Sequence, residues 1–243
     1  MRLLVTRAAA DAARTAERLA ALGHEAVVAP VIALVPTGAP PPAGSFDAVL
    51  LTSAHAAPAL AHLDRKDLPV FAVGSRTAAA AREAGLRDVR EAAGDAAALA
   101  VLVRRALPPG ARLLHAAGRD RKAEPEASLA GAGYGVAVWE VYAAESLPAL
   151  PPRIRDELRA GGLDGALHYS RRSAEILLAL ARAEGLLDAL LPLTHLCLSE
   201  DVAAPLRAAF AARVRVGERP EERFLLAAID PVRGGSPNPA PSF

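Results

Sequence analysis

Short apolar runs closed by small or hydroxylated residues alternate along the chain with alanine-rich amphipathic stretches, the strand, helix, strand rhythm of parallel α/β architecture. Arg2 to Thr6 leads into a helix from about Asp11 to Leu22; Gly23 stops it, and Glu25 to Ala29 forms a second strand before Pro30. The rhythm then breaks. Pro30, Pro36, Pro40, Pro41 and Pro42 crowd the segment Val31 to Gly44 and its border, too many for a helix or a central strand, so this stretch reads as a crossing between units. Beyond it, Phe46 to Ser53, Val70 to Gly74, Val89 to Ala92, Leu113 to Ala117 and Val136 to Tyr142 read as five strands with helical stretches between them. A second proline-bearing break, Leu147 to Pro152, precedes strands at Leu163 to Ser170, His195 to Ser199 and Val214 to Gly217.

The chain also echoes itself. Phe46-Asp-Ala-Val-Leu-Leu-Thr-Ser53 matches Leu163-Asp-Gly-Ala-Leu-His-Tyr-Ser170, and Phe71 to Ala80 matches Leu196 to Pro205. Two homologous lobes follow, of which the second lacks its own first two strands. The economical reading makes residues 1–34 and 147–230 one discontinuous lobe and 35–146 an inserted one, hung on two antiparallel crossing segments, Val31 to Val35 and Trp139 to Ala143. The stretch 231–243, rich in Pro, Gly and Ser, reads as a disordered tail.

Composition narrows the function classes. With 52% apolar and 23% charged residues in 243, the chain is globular and long enough for two compact units. Its 28 basic and 27 acidic residues nearly cancel, which removes the footprint of a dedicated nucleic-acid binder and makes any anion site local. The single cysteine, Cys197, permits no internal disulfide or thiolate cluster, and its place in a buried strand favours a small hydrophobe over a nucleophile. No apolar run reaches the 18 to 20 or so residues of a membrane span, and no signal-peptide pattern opens the chain; the expectation is a cytoplasmic protein without membrane attachment.

In open parallel sheets ligands bind beyond the carboxyl ends of the strands, where helix N-termini present unpaired amides. Those ends read Thr6-Arg7, Thr52-Ser53, Gly74-Ser75-Arg76-Thr77, Gly118-Arg119-Asp120-Arg121-Lys122, Ser170-Arg171-Arg172-Ser173 and Ser199-Glu200-Asp201. Hydroxyl N-caps are ordinary there, but a cation in the first helical turn opposes the macrodipole, so arginines at several such ends point to a bound polyanion. Against this stands solvated surface arginine, since only Lys66 and Lys122 among the bases are lysine. There is no Walker loop and no Gly-x-Gly-x-x-Gly after a strand; Gly131-Ala-Gly133-Tyr-Gly135 lies between helix and strand, where glycine caps. The six histidines show no metal spacing, and no metal is expected. Tyr142, on the second crossing, reads equally as a core residue with a wet hydroxyl or as a proton donor.

The layout resembles the uroporphyrinogen-III synthase family. The likeness runs to about Ile229 and rests on the opening Leu-Val-Thr6-Arg7, Gly23-His24-Glu25 with Pro30, Phe46 to Ser53, Val73-Gly74-x-x-Thr77-Ala78, Gly118-Arg119, Val141-Tyr142 and the Ser170 repeat. It implies two similar parallel-sheet, flavodoxin-like lobes joined by a two-stranded crossing, with substrate between them and no cofactor. It also implies the reaction: the linear tetrapyrrole hydroxymethylbilane is cyclised to uroporphyrinogen III, with loss of water and inversion of ring D. The bilane has eight carboxylates and closes spontaneously to the uninverted isomer, so such an enzyme chiefly folds its substrate and needs no dominant catalytic dyad, and none is visible. Carried over by position, Tyr142 is the candidate acid assisting departure of the hydroxyl. Thr6, Arg7, Thr52, Ser53, Gly74, Thr77, Gly118, Arg119, Ser170 and Arg171 are the candidate substrate contacts. Two departures stand out: Val202 removes the hydroxyl at the second-lobe counterpart of Thr77, and Ala116-Ala117 replaces a Pro-Arg lead into Gly118. The expected partner is the bilane alone, bound by a monomer, with room for a transient contact with the preceding pathway enzyme. The competing readings are a tetrapyrrole- or small-anion-binding protein on the same fold without catalysis, and a two-domain binder of a phosphorylated or carboxylated metabolite.

Overall fold

The computed structural model describes residues 1–229; the stretch read as a tail, 231–243, lies outside them. Its strands are β1 (Arg2–Val5), β2 (Glu25–Val28), β3 (Ile32–Pro36), β4 (Ala48–Leu51), β5 (Val70–Ala72), β6 (Val89–Glu91), β7 (Arg112–Gly118), β8 (Gly135–Ser146), β9 (Gly165–His168), β10 (Thr194–Cys197) and β11 (Arg213–Val216). The chain divides into two compact units, Leu34–Ala144 (unit 2) and Met1–Ala33 with the residues from Glu145 on (unit 1). Unit 1 is built on a parallel sheet in the order β11-β10-β9-β1-β2. Numbered along its own chain this is the order 2-1-3-4-5 of flavodoxin-like proteins.

Unit 2 has the order β3-β8-β7-β4-β5-β6, parallel from β8 to β6. The Leu147 amide donates to Val31 O and the Thr37 amide to Val141 O, so the numbers run in opposite senses and β3 lies antiparallel to β8. Apart from β3, the sheet of unit 2 is that of unit 1 circularly permuted: β7, β8, β4, β5 and β6 stand where β1, β2, β9, β10 and β11 stand. The chain thus starts unit 2 at the strand equivalent to β9 and leaves it at the equivalent of β2, which is how an internal repeat lacking its first two strands arises.

One contact shows that the repeat is structural. In unit 2 the Arg112 amide donates to Asp47 Oδ2 at 2.8 Å and the Asp47 amide to Arg112 O at 2.8 Å. In unit 1 the Arg2 amide donates to Asp164 Oδ2 at 2.6 Å and the Asp164 amide to Arg2 O at 2.9 Å. This reciprocal clasp pins the register of the two central strands at their entry in each unit. Burial follows position in the sheet. The interior strands β4, β9 and β10 are buried along their whole length, as a parallel sheet covered on both faces requires, while the edge strands β6 and β11 expose alternate or adjacent residues. Pro36 ends β3 at a sheet edge, where a missing N–H costs no ladder bond.

In unit 2 the two faces pack separately. Val49, Leu51, Leu114, Ala116, Trp139 and Val141 form one core; Leu50, Phe71, Leu113, Leu99, Val103 and Leu129 form the other, under the helices Ala96–Ala106 and Glu126–Gly131. The proline-rich segment is tied down at its middle by Trp139 Nε1, which donates to Ala39 O at 2.7 Å.

Candidate active site

The carboxyl edge of the unit 2 sheet gathers most of the residues singled out from the sequence. β7 and β8 lose their register between Ala117 and Gly118, so Gly118 stands opposite Tyr142, and the Arg119 amide donates to Tyr142 O at 2.9 Å. The Tyr142 ring lies over Gly118 so closely that a Cβ there would sit 2.7 Å from Cζ and 3.0 Å from the hydroxyl oxygen. Glycine is therefore what admits the tyrosine. The ring meets His55 edge to face at 6.1 Å, and Arg76 Nη2 approaches His55 Nε2 at 3.4 Å. Beside Tyr142, and wholly within unit 2, is a hollow of about 670 Å³ walled by Trp139, His55, His62, Pro36 and Pro40. Arg119 is 59% exposed with Glu140 at 3.8 Å, so its guanidinium stands largely in solvent.

Ser53 accepts from the His55 amide at 3.3 Å and caps the turn that follows β4. Gly74 precedes the helix Ser75–Glu83 in extended conformation; Thr77, in its first turn, is buried.

Thr52 belongs to a different set. Leu50 pairs with His115 in the β4–β7 ladder, and Thr52 follows on the same side of the strand, which brings its hydroxyl to the imidazole. Thr52 Oγ1 is 2.9 Å from His115 Nε2, and His115 Nδ1 is 2.9 Å from Glu126 Oε1. That carboxylate oxygen also accepts from Arg121 Nε at 2.8 Å, while Arg121 Nη1 donates to Glu140 Oε1 at 3.0 Å. His115 is 1% exposed, and burial holds its pKa below the usual imidazole value despite the opposing effect of Glu126. The sequence reading found no such array. A lone histidine inside an apolar strand and a glutamate eleven residues on carry no motif; only the strand register and the helix beginning at Glu126 bring them together. Thr52 and Tyr142 thus share an edge but not a face, for Tyr142 packs on the side of Trp139 and Val141.

In unit 1 the same edge is tied up internally. Thr6 is fully buried and its hydroxyl donates to Leu167 O at 3.3 Å. Arg7 donates to Glu222 Oε1 at 3.1 Å, lies 3.9 Å from Asp11, and stacks over the Tyr169 ring at 4.0 Å. Glu222 is the hub: it also accepts from Tyr169 Oη at 2.7 Å and Thr15 Oγ1 at 2.8 Å, and it pairs with Arg18. The Thr6 and Arg7 side chains, singled out from the sequence as ligand contacts, thus have their partners inside unit 1. Ser170 caps the helix Arg171–Ala183, accepting from the Ser173 amide. Arg171, 54% exposed, pairs with Glu175 at 2.9 Å and Asp201 at 3.2 Å. Cys197 is buried in β10, and burial pushes its thiol up to about 12, which fits a packing residue. Among the described residues no cluster of three His, Cys, Asp or Glu is placed to hold a metal, and no helix is long and apolar enough to cross a membrane.

Two permuted copies of one doubly wound parallel sheet, each with hydroxyls and first-turn amides past its strand ends, place the chain in the class of α/β proteins whose strand ends suit anionic small molecules. The chain belongs to the uroporphyrinogen-III synthase family: residues 13–227 match the family described as uroporphyrinogen-III synthase HemD. Enzymes of this family cyclise hydroxymethylbilane in tetrapyrrole biosynthesis. Among solved structures, a uroporphyrinogen-III synthetase from Helicobacter pylori is similar with TM-score 0.60 at 14% identity, over 93% of this chain and 97% of that one. A mutant uroporphyrinogen III synthase from Thermus thermophilus is similar with TM-score 0.50 at 20% identity, over 93% and 96%. These likenesses establish the two-lobed fold expected from the sequence; membership rests on the family match. No curated protein matches the chain.

Proposed function

We propose that the chain closes hydroxymethylbilane to uroporphyrinogen III with Tyr142 as the proton donor. The hydroxymethyl oxygen takes the phenolic proton and leaves as water while a pyrrole nitrogen closes a double bond toward the vacated carbon. Ring D then attacks through its substituted carbon; the bond from that carbon to the ring C bridge breaks, the freed bridge carbon bonds the unsubstituted α-carbon of the now inverted ring, and the proton lost there restores the phenol. The observation that carries this role is the seating of Tyr142 over Gly118: the ring lies against the glycine, half-buried, and borders a hollow lined mostly by apolar side chains. Ser53, Gly74, Thr77, Gly118 and Arg119 serve carboxylates through hydroxyl, amide and guanidinium groups, and Ser170 and Arg171 are the corresponding groups of unit 1. Thr6 and Arg7 are left out, because their side chains already have partners in unit 1.

The coarser features fit. The ligand is a small tetrapyrrole, and because it cyclises unaided, a monomer in the cytoplasm that meets the preceding enzyme transiently would limit its loss. The test supplies freshly made bilane and resolves the oxidised type III and type I isomers. A type III excess that falls about tenfold or more in rate in Tyr142→Phe supports the reading. Type I product alone selects a binding protein on the same fold, and an undiminished Y142F assigns Tyr142 to packing.

A further inference from the structure

A hydroxyl can meet a substrate as donor or acceptor, and the array behind Thr52 decides which. Arg121 Nε and His115 Nδ1 both approach Glu126 Oε1, at 2.8 and 2.9 Å, and an oxygen that already takes the guanidinium N–H stands as acceptor toward the ring as well. The proton of a neutral His115 therefore sits on Nδ1. Nε2 is left with a lone pair, and the only hydrogen available for its 2.9 Å contact is that of Thr52. Thr52 thus directs its proton inward. What the oxygen of this half-buried residue has left for a ligand is lone pairs, made more basic by donation into a chain that ends at Glu126.

A substrate carboxylate, itself an acceptor, is the wrong partner for such an oxygen. Resting on the reaction proposed above, we infer that Thr52 accepts a hydrogen bond from a pyrrole N–H of the bilane, and that His115 with Glu126 is the positioning pair that fixes this polarity. The contact has a catalytic consequence. When the hydroxyl leaves as water, the nitrogen whose lone pair closes the new double bond keeps its hydrogen and becomes cationic. That N–H is then a far stronger donor than in the ground state, so an acceptor held against it stabilises the transition state more than the bound substrate. The same array separates Thr52 from Ser53, whose oxygen caps a backbone amide and whose own proton remains available to a carboxylate.

The test has a part that needs no substrate. In protein labelled with 15N in histidine, the His115 signals, assigned by their loss in His115→Gln, are expected at pH 7.5 to show a protonated Nδ1 and a bare, hydrogen-bonded Nε2. A protonated Nε2, as the other tautomer or as imidazolium, overturns the inference, since Thr52 could then donate. Glu126→Leu supplies the kinetic part: at similar volume it removes the acceptor of Nδ1, so nothing holds the ring proton there and it can pass to Nε2, where it would meet Thr52 Oγ1 and turn that hydroxyl's proton outward. The inference expects E126L and Thr52→Val each to lower kcat for the type III isomer about tenfold with KM changed less than threefold, and Thr52→Ser to restore most of what valine removes. Unchanged kcat in E126L, or a loss confined to KM, overturns it. Wild-type protein that yields only type I isomer defeats the functional reading instead, whatever the tautomer of His115.

Discussion

Equivalent positions in the two units have been put to opposite uses. Thr52 and Tyr169 close the same strand of the same sheet, and each hydroxyl is matched to a glutamate. In unit 2 the match runs through buried His115; in unit 1 Tyr169 bonds directly to Glu222, which gathers Arg7, Arg18 and Thr15 as well. The helix after β10 begins with Glu200 and Asp201, so its positive end already carries negative charge, and Asp201 also holds Arg171. The equivalent helix of unit 2 begins Ser75-Arg76-Thr77, with no acid in its first turn. A duplicated scaffold keeps its sheet and its Asp–Arg clasp, while the polar groups past the strand ends are free to take different partners in the two copies.

The sharpest way to break the equivalence is at the strand entry itself. Unit 2 has Ala48 where unit 1 has Gly165, yet a Cβ on Gly165 would lie 2.6 Å from Thr194 O and 3.1 Å from a Leu3 methyl. The carbonyl belongs to the sheet and cannot rotate away. Gly165→Ala is expected to destabilise unit 1 by about 3 kcal/mol in urea unfolding, whereas Ala48→Gly should cost unit 2 only about 1 kcal/mol. Equal losses would mean that the β9–β10 spacing relaxes.

The next effect is on pH. His168 and His195 occupy positions that are Leu51 and Val70 in unit 2; His168 Nε2 lies 3.0 Å from His195 Nδ1, and His195 Nε2 3.2 Å from Leu190 O. His168 Nδ1 is buried without a hydrogen-bond partner. Burial pushes His195 down to about 4 and His168 well below its usual value, the latter helped by the neighbouring ring. Their folded pKa values lie below the unfolded one, so the neutral pair's stability is complete above about pH 6.5 and is lost as pH falls toward 4. From His195 alone, moving from pH 7 to pH 5 should remove about 2 kcal/mol from unit 1, seen as faster hydrogen exchange in β9 and β10. His168→Leu with His195→Val gives unit 1 the residues of unit 2 and should abolish that loss; persistence of the loss would place the acid sensitivity elsewhere.

How far the sequence carried depends on the range of the interaction. Alternation of apolar runs and amphipathic helices is local and periodic, so the strands, the crossing at Pro30 to Pro42 and the repeat of Phe46 to Ser53 in Leu163 to Ser170 were legible. The pattern Asp47/Asp164 was visible too, although its meaning as a register clasp needed the partner strand. The site was legible only where it is made of strand ends. Whether an arginine at such an end is free or engaged is set by residues far along the chain: Arg7 looked like Arg119 until Glu222, over two hundred residues later, came to lie against it. The Thr52–His115–Glu126 array failed to show for the same reason. Its members sit on three elements and obey no spacing rule, since a hydrogen bond across a parallel ladder depends on register and not on sequence separation.

The smallest expected change falls on Tyr142. Gly118→Ala places a methyl against the ring at 2.7 to 3.0 Å, and the obstructed atoms are the far end of a side chain that can swing, so the fold should lose little, about 1 kcal/mol. The hydroxyl would nevertheless move by about 1 Å or more, enough to slow a positioned proton transfer about tenfold, with substrate affinity nearly kept because Arg119 and Ser53 stay in place. Combining G118A with Tyr142→Phe separates the two effects. If the ring acts only by packing, the glycine change remains costly when the hydroxyl is gone; if the hydroxyl is the donor, the double variant is no slower than Y142F, and the absence of a tyrosine from β2, the equivalent strand of unit 1, marks the step as a gain of unit 2 alone.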